Sequence, residues 1–80
     1  FMKAVVHIRL KSEVLDPQGQ AIERALRNLG EDEISNVRQG KLIELDIQSE
    51  NIEDAKKKVD HAAKTLLANT VIEEYSIEIK

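Results

Sequence analysis

Asp16-Pro17 constrains this chain more than any other pair of residues in it. The proline ring disfavours α geometry at the residue before it and has no N–H to give. An extended run therefore stops there, and a helix starts with Pro17 at its first position, where the missing N–H costs nothing. Asp16 is then the N-cap, its carboxylate accepting from the free amides of the first turn. Gly19 fits less easily, because a first-turn glycine costs roughly 0.5–1 kcal/mol relative to alanine and buries nothing. It reads either as a tolerated imperfection or as a place where another stretch of backbone comes close.

On either side of this start the hydropathy pattern alternates between strand and helix periods. Residues 3–10 put Ala4, Val6, Ile8 and Leu10 on one face and Val5, His7 and Arg9 on the other, as a half-buried strand does. Ala21, Ile22, Ala25, Leu26 and Leu29 form one helical stripe, closed by Gly30 as a C′ residue. Residues 34–38 and 41–48 are two strand-like runs around Gln39-Gly40, which reads as a two-residue hairpin. Asn51 caps a second helix, with Asp54 three residues on. Its stripe is Ile52, Ala55, Val59, Ala62, Ala63, Leu66 and Leu67, and Asn69 is its expected left-handed stop. Glu53 with Lys57 and Asp54 with Lys58 form i,i+4 pairs outside. A last strand spans 71–79. The order is βαββαβ, an α+β two-layer sandwich with two helices on one face of a ferredoxin-like or related sheet.

Eighty residues with 41% apolar content make a single domain over 1–80. Phe1 stands before what looks like the initiator Met2 and reads as an added residue. A chain this short buries only about 60% of its unfolded surface. A second copy would help it, and Val5, Leu42 and Ile72 interrupt the polar outer sheet face where self-association is expected. No apolar run approaches the roughly 20 residues that cross a bilayer, no leader is evident, and the expectation is a soluble cytoplasmic protein.

The chemistry is bounded mainly by what the sequence lacks. There is no cysteine, so no thiol nucleophile, thiolate metal site or disulfide. Neither His7 nor His61 sits at a spacing that supports a triad, and each is read as solvated or interfacial. Glu31, Asp32 and Glu33 lack the ligand spacing of a calcium loop. Gly19, Gly30 and Gly40 are isolated and form no phosphate cradle. A net charge of −3 and the absence of stacking aromatics on the strands argue against nucleic acid. The chain reads as a binding or assembly module without catalytic, cofactor or metal residues. A small-ligand regulatory domain, with its ligand at the Asp16–Gly19 helix start, is the alternative.

Four motifs then carry a resemblance: Val14-Leu15-Asp16-Pro17-Gln18-Gly19; Ala25-Leu26 with Leu29-Gly30; Val37-Arg38-Gln39-Gly40-Lys41; and Leu66-Leu67-Ala68-Asn69 with Val71-Ile72-Glu73. Together, from Met2 to Lys80, they resemble the PurS family, the small subunit of phosphoribosylformylglycinamidine synthase. Thr70 stands where that family has proline, and Glu13 where glycine is common. The resemblance implies a non-catalytic accessory subunit of de novo purine synthesis. It would bridge an ATP-dependent synthetase subunit and a glutaminase subunit and support ammonia transfer between them. ATP and magnesium belong to the synthetase, and the chain itself is expected as a dimer or dimer of dimers. Asp16, Pro17, Gln18, Gly19, Arg38, Gly40 and Lys41 carry recognisable motifs without an evident core role, and are expected to govern docking. If Asp16 were only a cap, Asp16→Asn would be nearly silent. Gly19→Ala is expected to stabilise the first helix slightly while blocking any close backbone approach.

Overall fold

The computed structural model describes residues 2–80; Phe1 and its reading as an added residue lie outside the described residues. Five elements follow one another: β1 (Met2–Leu10), α1 (Pro17–Asn28), β2 (Gly40–Ile47), α2 (Ile52–Ala62), continued by a π-helical turn over Ala63–Leu67, and β3 (Glu73–Ile79). β1 is the central strand of an antiparallel sheet of order β2-β1-β3. Its register sets Val6 opposite Ile43 on one side and Ile77 on the other. This is the expected α+β class, with one strand fewer than expected.

Residues 34–38 form no strand, and Gln39-Gly40 turns no hairpin. The amides that a hairpin ladder would use are taken by side chains: Val37 N–H donates to Glu23 at 3.0 Å and Gln39 N–H to Asp16 at 2.7 Å. Asn36, at φ 56°, breaks the extended run with a left-handed residue. Gly40 is instead the first residue of β2, opposite Arg9. The order is βαβαβ.

The core lies between the sheet and α2. Ala4, Val6 and Ile8 of β1 meet Val59, Ala63 and Ala68, with Ile43, Leu45 and Ile47 of β2 and Tyr75, Ile77 and Ile79 of β3 half-buried around them. Ala55 is also buried, whereas Leu66 is 83% exposed. The π turn explains this: Ala68 N–H reaches back five residues to the Ala63 carbonyl. The extra residue per turn rotates Leu66 out and brings Leu67 and Ala68 in. Asn51 caps α2 by accepting from Glu53 N–H at 2.8 Å, while Asp54 takes the Ser49 hydroxyl and pairs with Lys58. Asn69 is not left-handed. Its side chain accepts from Val71 N–H, and its carbonyl takes the amides of Ile72 and Glu73, so the stop is an Asx-type turn.

On the outer face Val5 is buried after all. It lies on the central strand opposite Glu44 and Glu78, which pair with Lys3 and His7 on either side of it. Leu42 and Ile72 remain exposed but are separated, so the expected apolar patch is not assembled on this face.

The unexpected feature is α1, which packs along none of the strands. It has a regular end, with Gly30 at φ +91° and Glu31 N–H donating back to Leu26 in a Schellman arrangement. Its stripe, however, is open: Ile22 is 40% and Leu29 79% exposed. The molecule measures 50 × 24 × 14 Å, with a radius of gyration of 16.0 Å. A compact chain of this length has about 12 Å. Residues 17–39 thus form an arm projecting from the sheet.

Candidate functional site

At the base of the arm, the two motifs that are distant in sequence meet. Asp16, 3% exposed, divides its carboxylate between the two legs of the arm. Oδ1 accepts from Gly19 N–H at 2.9 Å, capping α1, and Oδ2 accepts from Gln39 N–H at 2.7 Å, tying down the returning chain. Gly19 is the point of contact. A Cβ built there would lie 2.3 Å from the Val37 carbonyl oxygen and 3.1 Å from Arg38 Cα, so the crossing needs a residue without a side chain. Of the two readings of this glycine, close approach by another backbone is the one realised.

Arg38 finishes the clasp. Its Nη2 donates to the carbonyls of Lys11 at 2.9 Å and Val14 at 3.0 Å, with that of Leu10 at 3.4 Å. These carbonyls end β1 and form the connection to α1, where no ladder partner is available to them. Gly40 has its own reason, since a Cβ there would meet the Ile8 carbonyl oxygen at 2.6 Å. Lys41 reaches Glu73 at 3.4 Å, linking the clasp to the start of β3. Asp16, Gly19, Arg38, Gly40 and Lys41 therefore stand together, with Pro17 and Gln18 on the exposed shoulder of α1. Arg38, Gln39, Gly40, Lys41 and Leu42 also line an open groove of about 760 Å³ that continues onto His7.

Glu23 belongs to this arrangement and was not among the expected site residues. One oxygen holds Val37 N–H and the other Arg27 at 2.7 Å. Its signal was present, because Glu23 lies four residues beyond Gly19 and so on the same side of α1.

The two amides beside Asp16, Gln39 first and then Gly19, hold its carboxyl below the usual carboxylate range, and Arg38 adds to this. A carboxyl with a lowered folded-state pKa binds its proton more readily when unfolded, so its contribution is complete above the unfolded value of 3.8 and is lost as pH falls through the folded one. Asp16→Asn is not expected to be silent. One amide oxygen can accept from one leg, but the NH₂ then faces a backbone donor across the other. We expect a clearly lowered melting temperature at pH 7 and a flatter stability profile below pH 3.8 than in the wild type, measured by circular dichroism melts. Unchanged melts at pH 7 would mean that the second carboxylate bond contributes nothing.

The histidine and serine side chains near the sheet and the loops have local acidic partners. His7 pairs with Glu78 at 3.8 Å, Ser12 donates to Glu13, and Ser49 to Asp54. Among the described residues no three acidic, histidine or cysteine side chains converge to hold a metal ion, and no helix is long and apolar enough to cross a membrane.

Comparison with known proteins agrees with the motifs. The family model PurS, described as phosphoribosylformylglycinamidine (FGAM) synthase, matches residues 3–80. The PurS subunit of phosphoribosylformylglycinamidine synthase from Mycobacterium leprae is 52% identical, over 94% of this chain and 91% of that one. The crystal structure of Methanocaldococcus jannaschii PurS superposes with a TM-score of 0.90 at 42% identity, covering 100% of this chain and 96% of that one. A chain in the structure of PurLQS from Thermotoga maritima gives a TM-score of 0.90 at 37% identity, with 99% and 96% covered. With the Asp16–Gly19 and Arg38–Lys41 motifs clasped together in the fold these structures share, the chain belongs to the PurS family of phosphoribosylformylglycinamidine synthase subunits.

Proposed function

We propose that this chain is the small, non-catalytic subunit of a three-part phosphoribosylformylglycinamidine synthase, acting in the cytoplasm in purine synthesis. It bridges a synthetase subunit and a glutaminase subunit so that ammonia passes between them. ATP and magnesium are handled by the synthetase. The observation that carries this reading is the likeness over 99% of the chain to a component of PurLQS. The chemistry of the chain supports it: there is no cysteine to attack glutamine and no glycine-rich phosphate loop. What a rigid clasp with an exposed rim supplies is fixed placement of partners, which raises the effective concentration of one site beside another.

Docking falls to the rim of the clasp. Both Asp16 oxygens are spent within the chain, so Asp16, Gly19 and Gly40 act through the shape they enforce. Pro17, Gln18, Arg38 and Lys41 present the surface. The chain also works as a dimer or dimer of dimers, since the apolar stripe of α1 is left open.

Reconstitution tests the reading. The pure chain alone should release no ammonia from glutamine and form no amidine, while a synthetase–glutaminase pair should depend on it for glutamine-driven turnover. Lys41→Glu should raise the chain concentration needed for half-maximal rate roughly 10-fold or more, as loss of an interface charge contact does, without altering its circular dichroism. Turnover by the chain alone, or a full rate from the two large subunits without it, would sink the proposal.

A further inference from the structure

The open groove at the foot of the clasp carries two arginines with donors that the fold leaves unspent. The register sets Arg9 opposite Glu74, and His7 opposite Leu42 and Ser76, so these side chains share the outer face of the sheet, away from α2. Arg38 joins them from the returning leg of the arm, and all six line the groove of about 760 Å³. Arg9, Arg38 and Glu74 also line a second hollow, of about 500 Å³, beside the arm. The three therefore stand together where the two hollows adjoin. Gly40 permits this closeness, since a Cβ built there would lie 3.3 Å from the Cβ of Arg9.

A guanidinium group holds its N–H donors in a fixed planar fork that matches the oxygens of carboxylate and phosphate. Arg38 uses Nη2 alone, on the carbonyls of Lys11, Val14 and Leu10, and Arg9 uses Nε alone, on Glu74 at 2.8 Å. Among the described residues, Nε and Nη1 of Arg38 and both Nη atoms of Arg9 have no hydrogen-bond partner. The Arg38 fork is held by backbone, so little freedom is lost when it grips a ligand. Lys41 also lines the groove, but it shares the face of Ile8, where Glu73 engages it. Two arginines against the single carboxylate of Glu74 leave this hollow positive in a chain whose net charge is −3. An anion is the matching occupant. One fork satisfies a carboxylate, whereas two forks side by side suit the three oxygens and the double charge of a phosphate monoester. The volume is that of a small-molecule site rather than of a bare ion, and Leu42, 54% exposed, gives it an apolar wall.

We propose that this groove binds a small organic phosphate, with the phosphoryl group between Arg9 and Arg38 and the rest of the molecule along Leu42. Glu74 competes with the phosphoryl group for Arg9, so the site exchanges one anion for another. Arg38 also ties the arm to the end of β1, and occupancy of the groove is thereby coupled to the rigidity of the arm.

Two-dimensional NMR of the nitrogen-labelled full chain tests the site, with phenyl phosphate, inorganic phosphate and benzoate as probes at about pH 7.5, where a phosphate monoester is a dianion. Phenyl phosphate should shift the Nε–H signals of Arg9 and Arg38 and the amides of Gly40 and Leu42 to saturation. Inorganic phosphate and benzoate should bind more weakly, the first for want of the apolar contact and the second for want of the third oxygen. The Arg9 side chain is 72% exposed, so Arg9→Gln should leave the fold intact, and it should weaken phenyl phosphate binding roughly 10-fold or more, as loss of a charge-assisted contact does. Glu74→Gln should act in the opposite direction and tighten binding, because it releases Arg9. Lys3→Gln removes the same charge at the far end of the sheet, beside Glu44, and should bind as the wild type does. A response no stronger than that to sodium chloride at matched ionic strength overturns the site. So does benzoate equal to phenyl phosphate, or Lys3→Gln as damaging as Arg9→Gln, since either would mean that only net charge is felt. Weaker binding by Glu74→Gln overturns the placement of the phosphoryl group at Arg9.

Discussion

Gly19→Ala is expected to destabilise the protein, although alanine is the better helix former. In an open helix the change would gain roughly 0.5–1 kcal/mol. Here the new methyl carbon is placed 2.3 Å from the Val37 carbonyl oxygen, and the neighbour is backbone, which cannot swing aside. Moving residues 37–39 away stretches the bonds from Gln39 to Asp16 and from Val37 to Glu23. Overpacking of this kind costs about 1–3 kcal/mol, and each kcal/mol lowers the melting temperature of a domain this size by roughly 4–8 °C. The core between the sheet and α2 is untouched, so the loss should concentrate at the arm. Hydrogen exchange is the measurement that resolves it: amides of 17–39 should lose protection while those of β1 keep theirs. An alanine variant that melts at or above the wild-type temperature would show that the crossing of the two legs is looser than its geometry indicates.

Ile8→Ala should cost more and act differently. Ile8 is 1% exposed on the central strand, in one cluster with Val59 and Ala63 of the helix that covers the sheet and its continuation. Truncation leaves a cavity under the centre of the sheet, at a cost of about 2–5 kcal/mol. For a small domain with a total stability of about 5–15 kcal/mol, that is a large part of the whole. Chemical denaturation should show a much lower midpoint, with β1, β2 and β3 losing protection together because all three share this strand or its neighbours. The contrast between the variants separates the two jobs of the chain: Gly19 holds the arm, and Ile8 holds the body. Equal effects of the two on arm and sheet would show that the molecule unfolds as one unit.

Much of this structure was legible in the residues. The β1 alternation, the Asp16 cap with Pro17 behind it, the Gly30 stop and the burial of Ala55, Val59 and Ala63 on α2 and its continuation follow from local periodicity and capping, because neighbours in sequence decide them, whereas Ile52, expected in the same stripe, is exposed. The family was legible for a related reason, since its motifs sit where backbone geometry tolerates few alternatives. The misjudged places are those where a distant group intervenes. Residues 34–38 have the composition of a strand, yet Glu23 and Asp16 take their amides. Gln39-Gly40 has the composition of a hairpin turn, yet Gly40 pairs with Arg9. Val5 reads as an exposed apolar residue, yet it is buried on the central strand between Glu44 and Glu78 of the two neighbouring strands.

By itself the sequence determined the class of fold, the positions where both helices begin and where the first one ends, and the absence of cysteine chemistry. Only the tertiary structure decided where α1 goes. A helical stripe states that one side must be covered, and Ile22, Leu26 and Leu29 state it clearly, but periodicity carries no information about which surface does the covering. That choice belongs to the clasp. Asp16 and Arg38 meet across 22 positions of chain, and their bonds to backbone groups fix the arm away from its own sheet. The same apolar stripe that would have closed a compact monomer is thereby turned outward, because hydrogen bonds are directional and set the angle of the arm, while burial of apolar surface is not directional and is met by whatever surface that angle allows.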